Sequence, residues 1–133
     1  MIKLFIGAKG SGKTKTLIEL VNNAATNSKG SVVCIEKGDK LRFDITSKAR
    51  LVDTDYYHIT DAAKLTGFIA GILASNSDIT DIFVDSSLKI CGNDVAAFEA
   101  LLKDIEDVVN DINLVMTVSI AVENCPEYIK SYT

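Results

Sequence analysis

Near the start of the chain, Gly7-Ala8-Lys9-Gly10-Ser11-Gly12-Lys13-Thr14 satisfies the spacing G-x-x-x-x-G-K-[ST] at every fixed position. Each residue type suits the capture of a phosphate chain. Glycines let the backbone wrap closely around phosphate oxygens, so that successive N–H groups point into one anion-binding concavity. Lys13 brings a point charge able to reach β- and γ-phosphates, and the Thr14 hydroxyl is a ligand for Mg²⁺. Lys9 and Lys15 add positive charge beside the loop, as direct contacts or as solvated flanking lysines. A chance match in a chain of this length has odds of roughly one in two hundred on average residue usage. The strand-loop-helix setting lowers those odds further.

That setting is legible in the flanking residues. Ile2 to Ile6 is a short apolar run with Lys3 as its one polar member, which predicts a strand buried on both faces of a parallel sheet. After the loop, Leu17, Ile18, Val21, Ala24 and Ala25 recur at helical spacing, and Asn27-Ser28-Lys29-Gly30 ends the helix. Val32-Val33-Cys34-Ile35 is the next buried strand. Between residues 37 and 55, alternating Leu41, Phe43 and Ile45, followed by polar residues and Leu51-Val52, predict a small hairpin outside the main sheet. Thr60 or Asp61 caps a second helix ending near Asp78, and Ile79 to Val84 forms a third buried strand. Asn93 or Asp94 caps a third helix, Leu114 to Ile120 is the fourth strand, and Pro126 starts a short terminal helix. The alternation predicts an α/β three-layer sandwich with a mainly parallel sheet of about four to five strands and helices on both faces. Ligands in such sheets bind at the carboxyl ends of the strands.

Composition narrows the function classes. With 133 residues, 47% of them hydrophobic, the chain predicts one nucleotide-binding domain spanning 1–133. Fourteen Lys+Arg against eighteen Asp+Glu give a net charge of −4, the wrong sign for a broad basic face, so nucleic acid is not an indicated partner. The first apolar run is too short for a signal-peptide core or a membrane span, which predicts a cytoplasmic protein. Cys34, Cys91 and Cys125 are widely spaced with no Cys-x-x-Cys, predicting reduced thiols rather than a disulfide framework or a zinc site.

With the glycine-rich loop in place, the sequence resembles the P-loop NTPase family, in the form of a small RecA-like or thymidine-kinase-like ATP-binding domain. Gly7 to Thr14 corresponds to Walker A. Asp81-Ile82-Phe83-Val84-Asp85 is similar to a Walker B strand, which makes Asp85 the acid that holds Mg²⁺ with Thr14. The resemblance covers the core sheet and leaves out residues 37–55 and the last fifteen or so. It also breaks at a defined place. Helicase-like members carry a glutamate after the Walker B aspartate, where this chain has Ser86. RecA- and rotary-ATPase-like members place it at the end of the strand following the P-loop helix, and Glu36 occupies that position. The resemblance therefore implies Lys13 and Glu36 as catalytic residues, Glu36 orienting a water toward the γ-phosphorus. Glu36 also has a plain reading as a solvated strand-end acid.

Other candidates are weaker. Thr117 or Ser119 reaches a γ-phosphate only if the fourth strand neighbours the first, and Glu123 and Asn124 follow in the same region. No Asn-Lys-x-Asp occurs, which leaves adenine as the default base. Arg42 and Arg50, the only arginines, are either fingers toward a neighbouring subunit's nucleotide or surface partners of Asp39, Asp44 or Asp53. Tyr56, Tyr57 and His58 form an aromatic cluster that stacks a ring or anchors the core edge. The leading expectation is a Mg-ATP-binding protein with weak or partner-dependent ATPase activity, as a homo-oligomer or with a protein partner supplying what Ser86 lacks. The alternatives are a binding module that uses the γ-phosphate to order a loop such as 86–93 without hydrolysis, and a nucleoside or nucleotide kinase. The zinc-ribbon cysteines of thymidine kinases are missing, and 133 residues leave no room for the extra domain of secretion or pilus-retraction ATPases.

Overall fold

A computed structural model describes all 133 residues. Five strands, β1 (Ile2–Gly7), β2 (Ser31–Glu36), β3 (Arg50–Asp53), β4 (Ile79–Val84) and β5 (Asn113–Ser119), form one sheet. Its order is β1-β5-β4-β2-β3, and every pairing is parallel. The connections carry helices α1 (Lys13–Asn27), α2 (Ala62–Ser75), α3 (Ser87–Ile90) and α4 (Val95–Ile105), and α5 (Glu127–Lys130) closes the chain.

The period of the strands sorts side chains into two layers. Val32 and Cys34 of β2 join Phe83 of β4 and Leu17 and Val21 of α1 on one face. Val33 and Ile35 point the other way, into a larger core with Leu65 and Ile69 of α2 and Phe98, Leu101, Leu102 and Ile105 of α4. Each such fully buried Leu, Ile or Phe contributes about 1.5–3 kcal/mol, so both layers hold the sheet rigid beneath its carboxyl ends. α2 and α4 start as the sequence predicts: Asp61 Oδ1 accepts from Lys64 N (2.8 Å), and Asp94 Oδ1 accepts from Ala97 N (3.0 Å).

Three expectations are corrected. The hairpin over 37–55 does not form. Leu41, Ile45 and Ala49 instead fold as a series of turns against α1, with Ile45 N donating to Leu41 O (3.1 Å), while Phe43 is left 86% exposed. Leu51-Val52 then joins the main sheet as β3, parallel to β2. Residues 37–49 thus act as a crossover, and a parallel pairing needs about a dozen residues of connection. Next, β1 is not buried on both faces. It lies at the sheet edge, where only Leu4 and Gly7 are fully buried, and Tyr132 O receives Leu4 N (3.0 Å) on its outer side. Finally, residues 86–93 are not an open loop: α3 buries Ser87, Leu88 and Ile90, and Asn93 N closes back on Leu88 O (2.8 Å).

Candidate functional site

The carboxyl ends of four strands converge on one crevice of about 980 Å³. β1 delivers the glycine-rich loop, β2 ends in Glu36, β4 is followed by Asp85, and β5 ends in Ser119, paired in register with Gly7. Gly10 and Gly12 have φ of +85° and +88°, and a Cβ on either would point into open space over the loop. Left-handed backbone of this kind favours glycine and leaves the concavity clear. Ser11 N donates to Ala8 O (3.2 Å), which closes the turn.

α1 begins at Lys13 with no side-chain cap and no acidic residue in its first turn. Its first N–H groups and the positive end of its dipole are therefore free to meet an anion. The Lys13 ammonium folds back onto the loop, donating to Ala8 O (3.0 Å) and Ser11 Oγ (3.3 Å). Burial lowers its pKa from the ordinary lysine range, and Asp85 partly offsets this.

Asp85 is buried at the centre of a hydroxyl network. Thr14 donates to its carboxylate (3.1 and 3.3 Å), and the Thr117 hydroxyl donates to Oδ1 (2.8 Å) while accepting from Ser86 N (2.7 Å). Ser87 Oγ donates to Thr117 O (2.8 Å), tying α3 to β5. Ser86 sits at φ +56°, uncommon for a residue with a side chain, and the Thr117 hydroxyl on its N–H holds it there. β5 does neighbour β1, yet Thr117 spends its hydroxyl on Asp85 and Ser86, and it is the strand end, Ser119, that lines the crevice.

Glu36 lines the same crevice, but its plain reading as a solvated acid does not fit: it is only 3% exposed. Oε1 accepts from Lys40 N (3.1 Å) and Oε2 from Leu41 N (3.0 Å), so the carboxylate nucleates the turns that follow β2. Burial raises its pKa above the ordinary 4.5, those two N–H donors pull it back, and Asp85 and Asp53 push it up.

Thr14 Oγ1 and the Asp85 carboxylate form a small hard-oxygen set that suits Mg²⁺, an ion held by one or two protein oxygens together with substrate phosphates. No cluster of three or more His, Cys, Asp or Glu offers a cage for a metal on its own. Lys9 and Lys15 line the crevice and are exposed. Arg42 pairs with Asp39 and stacks on Phe43, whereas Arg50 lies away from the crevice beside a groove of about 350 Å³ along α2. Tyr56 and Tyr57 pack edge to face at 4.9 Å outside the crevice, and Glu123 and Asn124 are likewise not part of it. The sequence reading missed Lys37, Lys40 and Lys89, which also line the crevice. Lys37 had a signal, its place directly after the carboxyl end of β2, whereas Lys40 in the following turns and Lys89 within α3 had none. All three cysteines are buried and unpaired.

No protein-family model matches the chain, and no curated protein matches it. Among solved structures the fold is similar to "Structure of C. elegans PCH-2", with a TM-score of 0.57 and 15% identity over 99% of this chain. The chain spans about a third, 33%, of that protein's length. At this identity the likeness concerns the fold alone: a three-layer α/β sandwich around a parallel five-stranded sheet. No helix is long and apolar enough to cross a membrane.

Proposed function

We propose that this chain is a Mg-ATP-binding P-loop protein with weak or partner-dependent ATPase activity. The observation that carries the reading is the convergence of an uncapped helix start, a left-handed glycine loop and Lys13 on the buried Thr14-Asp85-Thr117 network. In this reading the loop residues Gly7 to Thr14, with Lys15, bind the phosphates, and Lys13 exchanges Ala8 O for a phosphate oxygen. Thr14 and Asp85 hold Mg²⁺, which supplies charge neutralisation at the β- and γ-phosphates. Glu36 has two of its roughly four lone-pair positions committed to backbone, which leaves room to orient one water.

A specific observation also favours a second reading, a nucleotide-dependent binding module. Glu36 is built into the turns after β2, and the residue after Asp85 is Ser86 rather than a glutamate. Steady-state phosphate release with Mg-ATP separates the two. Hydrolysis requires release above that of Lys13→Ala, and a water-orienting role for Glu36 requires a fall of about a hundredfold or more in Glu36→Gln, the usual contribution of a general base. Equal release by wild type and Glu36→Gln removes Glu36 from the chemistry. Release no higher than in Lys13→Ala, with ATP bound, leaves the binding module.

A further inference from the structure

The crevice is lined for a phosphate chain and not for a base. Of its 17 lining residues only Ile18 and Leu41 are hydrophobic, and none is aromatic. Six lysines face three carboxylates there, a local excess of positive charge on a chain whose net charge is −4. Lys9, Lys13 and Lys15 belong to the loop and the start of α1. Lys37 and Lys40 come from the turns after β2, and Lys89 from α3 on the far side of Asp85. Of the six only Lys37 is in an ion pair, with Asp55 at 2.6 Å. Lys40 and Lys89 thus present unneutralised charges at two sides of the cradle.

Base recognition needs a flat apolar or aromatic face for stacking, or a fixed set of donors and acceptors. The aromatic side chains lie elsewhere: Tyr57 and Phe68 line the groove along α2, Phe43 projects into solvent under Arg42, and Tyr128 and Tyr132 pack on each other. The neutral polar groups of the crevice that are not part of the glycine loop are three: Ser86 directly after Asp85, Asn93 in the turn after α3, and Ser119 at the end of β5. Ser86 and Ser119 flank the phosphate side, next to Asp85 and in register with Gly7, which leaves Asn93 as a single amide and not a set of donors and acceptors for a base.

We propose that the site selects the polyphosphate chain and is indifferent to the base, so that its ligand class is Mg-bound nucleoside triphosphates of any base together with inorganic tripolyphosphate. Lys40 and Lys89 are the anchors outside the glycine loop. The inference rests on the reading of the crevice as a phosphate site and replaces adenine as the default base.

The test is calorimetric titration of the wild-type chain with the Mg complexes of ATP, GTP, CTP, UTP and inorganic tripolyphosphate at fixed ionic strength. The four nucleotides are expected within about fivefold of one another, and tripolyphosphate within about tenfold of ATP, because a base left in solvent adds about 1 kcal/mol or less. Lys40→Ala/Lys89→Ala is expected to weaken all five by a similar factor of about ten, about threefold for each of two exposed charges. ATP binding more than about thirtyfold tighter than both GTP and tripolyphosphate overturns base indifference while leaving the nucleotide site intact. A double variant that binds as wild type overturns the anchor role. No binding by any of the five, or binding unchanged in Lys13→Ala, overturns the phosphate site itself and this inference with it.

Discussion

Replacing Thr117 by valine keeps the shape of a side chain that is 1% exposed and deletes one hydroxyl. That hydroxyl donates to the Asp85 carboxylate at 2.8 Å and accepts from Ser86 N at 2.7 Å. Loss of the charge-assisted bond costs about 1.5–3 kcal/mol, and an orphaned buried N–H about 1–3 kcal/mol. Asp85 keeps Thr14 as a donor and Ser86 is half-buried, so the two costs overlap, and about 2–4 kcal/mol is expected for Thr117→Val. With a urea m-value of about 1–3 kcal/mol/M for a domain of this size, the midpoint falls by about 1–2 M at unchanged slope. Thr117→Ser restores both hydrogen bonds and loses a methyl group, so it is expected to recover all but about 1 kcal/mol. Urea melts followed by circular dichroism measure all three proteins. A Thr117→Val unfolding free energy within ~0.5 kcal/mol of wild type, or a serine variant no better than valine, refutes the claim that this hydroxyl holds Asp85 and Ser86 in place.

Other outcomes follow from buried groups away from the network. Thr54 is fully buried and its hydroxyl has no partner, so Thr54→Val is expected to leave the unfolding free energy from urea melts unchanged or raise it by about 0.5–1 kcal/mol; a loss beyond about 1 kcal/mol contradicts this. Glu36 carries a folded-state pKa above its ordinary 4.5. It takes up its proton in the folded state first, so its contribution grows as pH falls from the raised value toward 4.5. Stability of wild type relative to Glu36→Gln is therefore expected to rise as the pH is lowered from 7 to 4.5, and a fall over that range refutes the sign. Burial raises all three thiols, Cys34 and Cys91 to about 12, so a disulfide reagent at pH 8 is expected to modify none of them in minutes and all three after unfolding.

How much of this was legible in the sequence depends on whether a signal is local. The glycine loop, the helix behind it and the aspartate caps of α2 and α4 are each set by residues within a turn or two, and they stand where their spacing puts them. Residues 37–55 are different. Leu41 and Ile45 are four apart as well as alternating with Phe43, so the same letters fit a strand and a helical turn, and the choice falls to the Glu36 carboxylate and the face of α1. The edge position of β1 follows from sheet order, which no local pattern encodes; an apolar run is as consistent with an edge as with the centre. Sheet order likewise decides that Thr117 lies beside Asp85 while Ser119 reaches the crevice. The lysines of the crevice escaped notice because Lys37, Lys40 and Lys89 are far from the loop in sequence and meet it only through the parallel alignment of strand ends.

The central claim is that the crevice binds a Mg-nucleotide through the glycine loop and Lys13. Calorimetric titration of Mg-ATP into wild type and Lys13→Ala tests it most directly. Removal of a partly buried charge that contacts phosphate costs about 2–3 kcal/mol or more, so micromolar binding by wild type is expected to weaken by at least about thirtyfold in the variant. Equal binding by the two proteins, or no binding by a wild-type chain that melts cooperatively, would contradict the account.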